Sequence, residues 1–135
     1  MEQPRQEPWQ IVLGELDKKM GVEVVEQSAH KVVVTMPVEG NRQSLGLLHG
    51  GAMVAVAEAA GSWAAVIHAS TFGKVAVGVD INATHHKSAR SGTITATATA
   101  LKLGRTLASH EVVIVDDIGE RLCTARITNA LVDPR

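Results

Sequence analysis

QSLGLLHGGAMVAVAEAAGSWAAVIHAS, residues 43–70, holds one formal charge, Glu58, and no proline. From 50 to 69 it is almost wholly alanine, glycine, valine and other small or apolar residues. A helix over that span is about 30 Å long at the usual rise per residue. It is apolar nearly all round, so burial on most sides is expected. An ionised carboxylate in the middle of such a rod costs several kcal/mol unless something meets it. Glu58 is therefore the first candidate for a functional group, and the helix is the element that holds it.

The whole chain supplies the frame. At 135 residues, with 45% hydrophobic side chains, it is read as a single domain over 1–135 with a real core. The net charge of −1 gives no basic footprint for nucleic acid, and the 2% aromatic content without tyrosine gives no base-stacking surface. Cys123 is the single cysteine and has no internal disulfide partner, which fits a reducing compartment. The opening MEQPRQEPWQ is polar and lacks the apolar core of a signal peptide. The central helix is long enough to span a bilayer. Its central Glu, its Gly and Ala content and its lack of basic flanks argue against a membrane. The expectation is a cytoplasmic protein.

Working outward, residues 8–20 contain WQIVLGELDKKM, in which Trp9, Val12, Leu13 and Leu16 share one helical face. With Gly21 as a stop, an N-terminal helix and tail is expected over 1–21. Valine-rich runs at 22–27 and 31–37 read as a hairpin turned at 28–30. Residues 39–46 are a polar, glycine-containing loop. After the helix come strand-like runs at 74–84, 93–103, 107–115 and 121–132. The run TITATATALKL puts Thr93, Thr95, Thr97 and Thr99 on one face and Ile94, Ala96, Ala98 and Ala100 on the other. Short turns imply antiparallel pairing. The fold class expected is α+β, a long central helix wrapped by a curved antiparallel sheet of about five strands. One helix cannot cover so long a sheet, so self-association is expected.

Three groups near the helix could do chemistry. Around Glu58 the helical neighbours Val54, Ala55, Gly61 and Ser62 are mostly very small, which leaves space over the carboxylate, and Ser62 at i+4 can hydrogen-bond it or a water. His49-Gly50-Gly51 opens the helix, where free N–H groups and the helix dipole suit an anion or a developing oxyanion. Gln43, six residues before His49, lies in a loop that can fold back on the helix start. There is no G-x-S-x-G elbow and no H-E-x-x-H, and the adjacent His85 and His86 point to opposite faces of a strand, so no metal is expected. Two polar clusters remain, His85, His86, Lys87, Ser88 and Arg90 at a strand end, and Lys102, Gly104, Arg105 and Thr106 at a turn. Either could grip phosphates or be an ordinary solvated turn.

Gln43, His49-Gly50-Gly51, Glu58 and Ser62 at these spacings, followed by VGVDINATHHKSARSG, LKLGR and GERLCTARIT, resemble the hotdog-fold acyl-CoA thioesterases of the PaaI-like superfamily. Within it the chain most resembles the 4-hydroxybenzoyl-CoA thioesterase type with a helical glutamate, and there looks most like 1,4-dihydroxy-2-naphthoyl-CoA hydrolases and the related proofreading thioesterase of enterobactin synthesis. The resemblance implies hydrolysis of an aromatic acyl-CoA, with no cofactor. It implies dimers that join sheets edge to edge, pair into tetramers and place active sites between subunits. The Gly50 N–H would polarise the thioester carbonyl, with help from Gln43, and His49 would position the reacting groups. Glu58 of the facing subunit would act as general base or nucleophile, and Ser62 would orient the carboxylate or the water. The CoA arm would contact Gly51, Gly78, His85, His86, Lys87, Ser88, Arg90 and the turn Lys102, Leu103, Gly104, Arg105, Thr106. Acyl carrier protein is an alternative thioester donor. The rival readings are a hotdog dehydratase, for which the His–acid motif is missing, and a non-catalytic acyl-CoA binder.

Overall fold

The computed structural model describes residues 7–135. Its elements in chain order are α1 (Glu15–Met20), β1 (Glu23–Gln27), β2 (Lys31–Pro37), α2 (Gly50–Ser70), β3 (Val75–His85), β4 (Thr93–Leu103), β5 (Leu107–Val115) and β6 (Arg121–Val132). All the strand pairs are antiparallel, in the order β1-β2-β4-β5-β6-β3. The sheet has six strands where about five were expected. Each of the six falls on one of the strand-like runs read in the sequence, so the count of about five was one too low; β1, five residues long and mostly exposed, forms one edge.

Alternation decides which side of the sheet meets the helix. On β4, Ile94, Ala96 and Ala98 are buried, while the threonines face outward. Val32, Val34 and Met36 of β2, Val112 and Ile114 of β5, and Ala125 and Ile127 of β6 join them. Against this surface α2 places Met53, Val56, Ala57, Ala60, Trp63, Ala64 and Ile67. Alanine on both partners lets helix and sheet come close. By length and composition α2 could cross a membrane, with mean hydropathy 1.4, yet half of that stretch is buried in this core. The opposite face is less covered than its composition suggested. Ala52, Ala55, Ala59 and Ser62 are half-buried, and Glu58 is exposed. Their spacing makes one stripe along the rod.

The N-terminal segment departs from expectation. Only Glu15–Met20 is helical. Residues 8–14 form no helix or strand, and Trp9, Ile11 and Leu13 pack on the core in alternation with exposed neighbours. Val12 and Leu16, expected on the buried face, are 70% and 59% exposed. Two backbone hydrogen bonds replace helical ones: Trp9 N–H donates to Ser70 Oγ at 2.9 Å and Ile11 N–H to Gln27 Oε1 at 2.9 Å. The helix begins where Asp17 Oδ2 accepts from Gly14 N–H at 2.7 Å, and it stops at Gly21 with φ 76°. Residues 1–6 of the expected tail lie outside the described residues.

Both sheet edges are strands with one neighbour. Among the described residues β3 pairs only with β6, and its Val75, Val77 and Val79 are exposed. A β-bulge between Gly78 and Asp80 bends this edge beside the middle of α2.

Candidate active site

At the start of α2, His49 is extended and caps the helix with its ring: Nδ1 accepts from Gly51 N–H at 2.8 Å. An accepting Nδ1 requires the tautomer with its proton on Nε2. A β-carbon on Gly51 would lie 2.8 Å from His49 Cε1, so this cap needs glycine there. The carbonyl of His49 accepts from Ala52 and Met53. The Gly50 N–H is left with no partner among the described residues. It sits at the positive end of the helix dipole, where an oxygen carrying negative charge is favoured.

The loop before the helix is tied down by a residue that sequence reading passed over. Asn41 Nδ2 donates to Met20 O at 2.7 Å and to Pro37 O at 2.8 Å, while Asn41 O accepts from His49 N–H at 2.8 Å. Gln43 Oε1 accepts from Leu45 N–H and, at 3.5 Å, from Leu47 N–H. The Gln43 amide nitrogen keeps its protons for something else. On the other side, Leu48 N–H donates to Ala89 O at 2.8 Å and Arg42 donates twice to Arg90 O, which fixes the residues 85–90 beside the helix start. The result is a pocket of about 280 Å³ lined by Gln43, Leu47, Leu48, Gly50, Met53, His85, His86, Lys87 and Ser88. The His85 ring closes one wall, with Nε2 3.1 Å from where a Gly50 β-carbon would be.

Glu58 lies in a second hollow, of about 310 Å³, with Gly78, Val79, Asp80, Ile81 and Ile127. In this chain it is exposed, not buried as the helix composition suggested. Gly78 leaves room over the carboxylate: a β-carbon there would come 3.7 Å from Glu58 Oε2 and 3.9 Å from Asn129 Oδ1. Gly61, expected to open space over Glu58, instead faces the sheet and is buried. The Ser62 hydroxyl donates to Asn129 Oδ1 at 3.1 Å. Asn129, buried on β6 and paired with Gly78 of β3, is the other residue that sequence reading missed. Its only signal was an amide on the otherwise apolar inward phase of its strand.

The two hollows share no residue. Gly50 and Glu58 are separated by two turns of one helix, about 12 Å. The expected phosphate-binding groups are likewise split. His85 to Ser88 sit at the helix start. Leu103, Gly104 and Arg105 line a cleft at the helix end, where His68 Nε2 meets Gly104 O at 2.7 Å. Lys102, Arg105 and Thr106 are exposed. Lys87 is already engaged with Glu120 and, at 3.4 Å, with Asp116; the Glu120 carboxylate, then Asp116, push its ammonium above the usual range. His86 Nε2 contacts Thr124 Oγ1 at 2.9 Å. Cys123 is buried and burial pushes its thiol up, so it is an inert core residue. Among the described residues no group of three His, Cys, Asp or Glu side chains could hold a metal ion.

Comparison with known proteins gives the family. The family model of the thioesterase superfamily matches residues 45–123, from the helix start to the last strand. The proofreading thioesterase EntH of Cronobacter turicensis is 36% identical over 121 residues, covering 89% of this chain and 88% of that one. EntH of Klebsiella pneumoniae is 38% identical over 114 residues, covering 84% and 82%. A thioesterase crystal structure from Haemophilus influenzae superposes with a TM-score of 0.81 at 35% identity, covering 87% of this chain and 82% of that one. The chain belongs to the thioesterase superfamily and has its hotdog fold. It is a thioester hydrolase.

Proposed function

We propose that the protein hydrolyses an aromatic acyl-CoA, of the dihydroxynaphthoyl or hydroxybenzoyl kind, at sites shared by two copies of the chain. The observation that supports it most is the unpartnered Gly50 N–H on the same rod as an exposed Glu58 some 12 Å away. One copy alone holds the two halves of a thioesterase centre in separate hollows. A second copy turned about a two-fold axis brings its Glu58 to the first copy's Gly50. The uncovered stripe of Ala52, Ala55, Glu58 and Ala59, and the β3 edge with its exposed valines, offer the surface for that contact.

In this reading the thioester oxygen receives the Gly50 N–H and the Gln43 amide. His49 keeps the helix start in shape through its bond to Gly51. Glu58 of the facing copy takes a proton from water as the water oxygen attacks the carbonyl carbon, or its carboxylate attacks that carbon and forms an acyl anhydride that a later water hydrolyses. The oxyanion collapses, the C–S bond breaks and CoA leaves as the thiolate, which takes up the proton held by Glu58 or one from water. Arg90, Lys102 and Arg105, none of them in an ion pair among the described residues, supply charge for the CoA phosphates once subunits assemble. Dimers pair into tetramers, and the protein works in the cytoplasm. The names of the EntH relatives support a second reading, proofreading of a carrier-bound thioester.

The test is subunit mixing. Glu58→Gln and Gln43→Ala are each expected to be nearly inactive. Exchanged into mixed dimers, they should regain activity, because one of the two centres is then intact. Absence of recovery after demonstrated exchange refutes the shared site. Thiol release from a panel of aryl-CoA, alkyl-CoA and acyl carrier protein thioesters tells the two substrate readings apart.

A further inference from the structure

Asn129 is fully buried on the concave side of β6, and its Nδ2 has no hydrogen-bond partner among the described residues. A buried amide NH2 with nothing to bond is costly, and orphaned donors are rarer in folded proteins than under-used carbonyls. The residue stands across from Gly78 and faces Ser62, one helical turn beyond Glu58. Apolar residues occupy the neighbouring inward positions of the same strand, Ile127 and Leu131. An amide there needs a reason.

The amide fills the same volume either way round. With its oxygen toward Ser62, it consumes the hydroxyl proton and strands the NH2. Turned over, the NH2 donates to Ser62 Oγ and the under-used atom is a carbonyl oxygen, the cheaper of the two to leave. The Ser62 proton is then free to point back along the helix to the Glu58 carboxylate or to a water on it. Without Asn129, a helical serine turns its proton to the main-chain carbonyl at i−4, which here is that of Glu58 itself.

We propose that Asn129 is a positioning residue for the thioesterase reaction: its amide holds the Ser62 hydroxyl so that the proton serves Glu58. This rests on the reading of Glu58 as base or nucleophile. A hydroxyl proton aimed at a carboxylate favours its ionised form. The other charged group in the hollow, Asp80, is unaltered by the variants below.

The experiment compares Asn129→Leu, Ser62→Ala, the double variant and Glu58→Gln with the wild-type enzyme, using an aryl-CoA that the wild type hydrolyses. Leucine fills the amide's space and removes the orphaned donor, so the fold is expected to survive. The expected result is a fall in kcat of about tenfold or more, the scale of one lost hydrogen bond to a charged group. KM should hold, and the acid limb of the kcat/KM profile should move to higher pH. Ser62→Ala and the double variant should match Asn129→Leu rather than add to it. A wild-type kcat and pH profile in Asn129→Leu, whatever its melting temperature, overturns the proposal, as do additive losses in the double variant. If Asn129→Leu does not fold, Ser62→Ala decides, and a wild-type pH profile there overturns it equally. Glu58→Gln separates the two levels. If it is inactive while Asn129→Leu is normal, only the proposal falls; if it is active, the Glu58 reading falls and takes the proposal with it.

Discussion

Gly61 of the central helix lies so near Ile127 of the last strand that a β-carbon on it would sit 2.2 Å from Ile127 Cγ2. The helix backbone rests there directly on side chains of the sheet, Ile127 and Val112, with none of its own between. Alanine is the better helix former by about 1 kcal/mol. Overpacking a fitted core costs about 1–3 kcal/mol. The clash is with a β-branched side chain that has little freedom, so the second effect should win. Gly61→Ala is expected to lower stability in urea melts. Adding Ile127→Ala removes the clashing methyl, so the double variant should be more stable than the sum of the two single losses.

Glu58→Gln should lower kcat by about 10² or more, as expected of a lost acid–base group. Because the carboxylate is exposed in the chain, its removal should leave the folded subunit's stability close to wild type. Single-turnover hydrolysis of an aryl-CoA, beside a thermal melt, reads both. A variant within a few-fold of wild type removes Glu58 from the mechanism.

Arg105→Ala should raise KM more than it lowers kcat. The side chain is exposed, so its attraction to phosphate is screened, and added salt should mimic part of the loss in the wild-type enzyme. A pure kcat effect with KM insensitive to salt would assign Arg105 elsewhere.

His110 makes stability depend on pH. It is fully buried, with Nε2 on Ala29 O at 2.9 Å and Nδ1 without a partner among the described residues. Burial holds its imidazole below the usual 6.5; the Ala29 carbonyl opposes this, and His68 and His30 add smaller contributions in the same direction as burial. The unfolded chain therefore takes up a proton that the folded chain refuses. Stability from this group is full above about pH 6.5 and is lost as pH falls below it, by at most about 1.4 kcal/mol per unit. Melting temperatures between pH 7.5 and about 5 should show the slope, and His110→Leu should flatten it.

The elements most legible in the sequence were those with strict periods. TITATATALKL alternates without a break, and β4 has the bounds that alternation predicts. The uncharged run around Glu58 gave α2 almost to the residue. The N-terminal run misled because Trp9, Val12, Leu13 and Leu16 fit a helical face while Trp9, Ile11 and Leu13 equally fit an extended one. Long-range bonds to Ser70 and Gln27 settle that choice, and no local pattern reveals them. At the site, Gln43, Gly50 and His85 were each visible, and the structure brings them to one pocket. Asn41 and Asn129 were not, because each acts on a backbone or side chain far away in sequence. Lys87 looked like a free cation until Asp116 and Glu120 were folded beside it.

The unbroken helix from Gly50 to Ser70 also acts as a ruler. In a two-fold pair, each rod would supply the oxyanion donor to one centre and the carboxylate to the other. The spacing of the two centres is then set by two turns of hydrogen-bonded backbone, about 12 Å, and not by any loop. Sliding one rod along its axis would shift a donor in one centre and a base in the other by the same amount. Neither centre of such a pair could be retuned from the helix without disturbing its twin, so selection for a different acyl group would act on the walls, at Gly78, Val79 and Met53, and leave the rod alone.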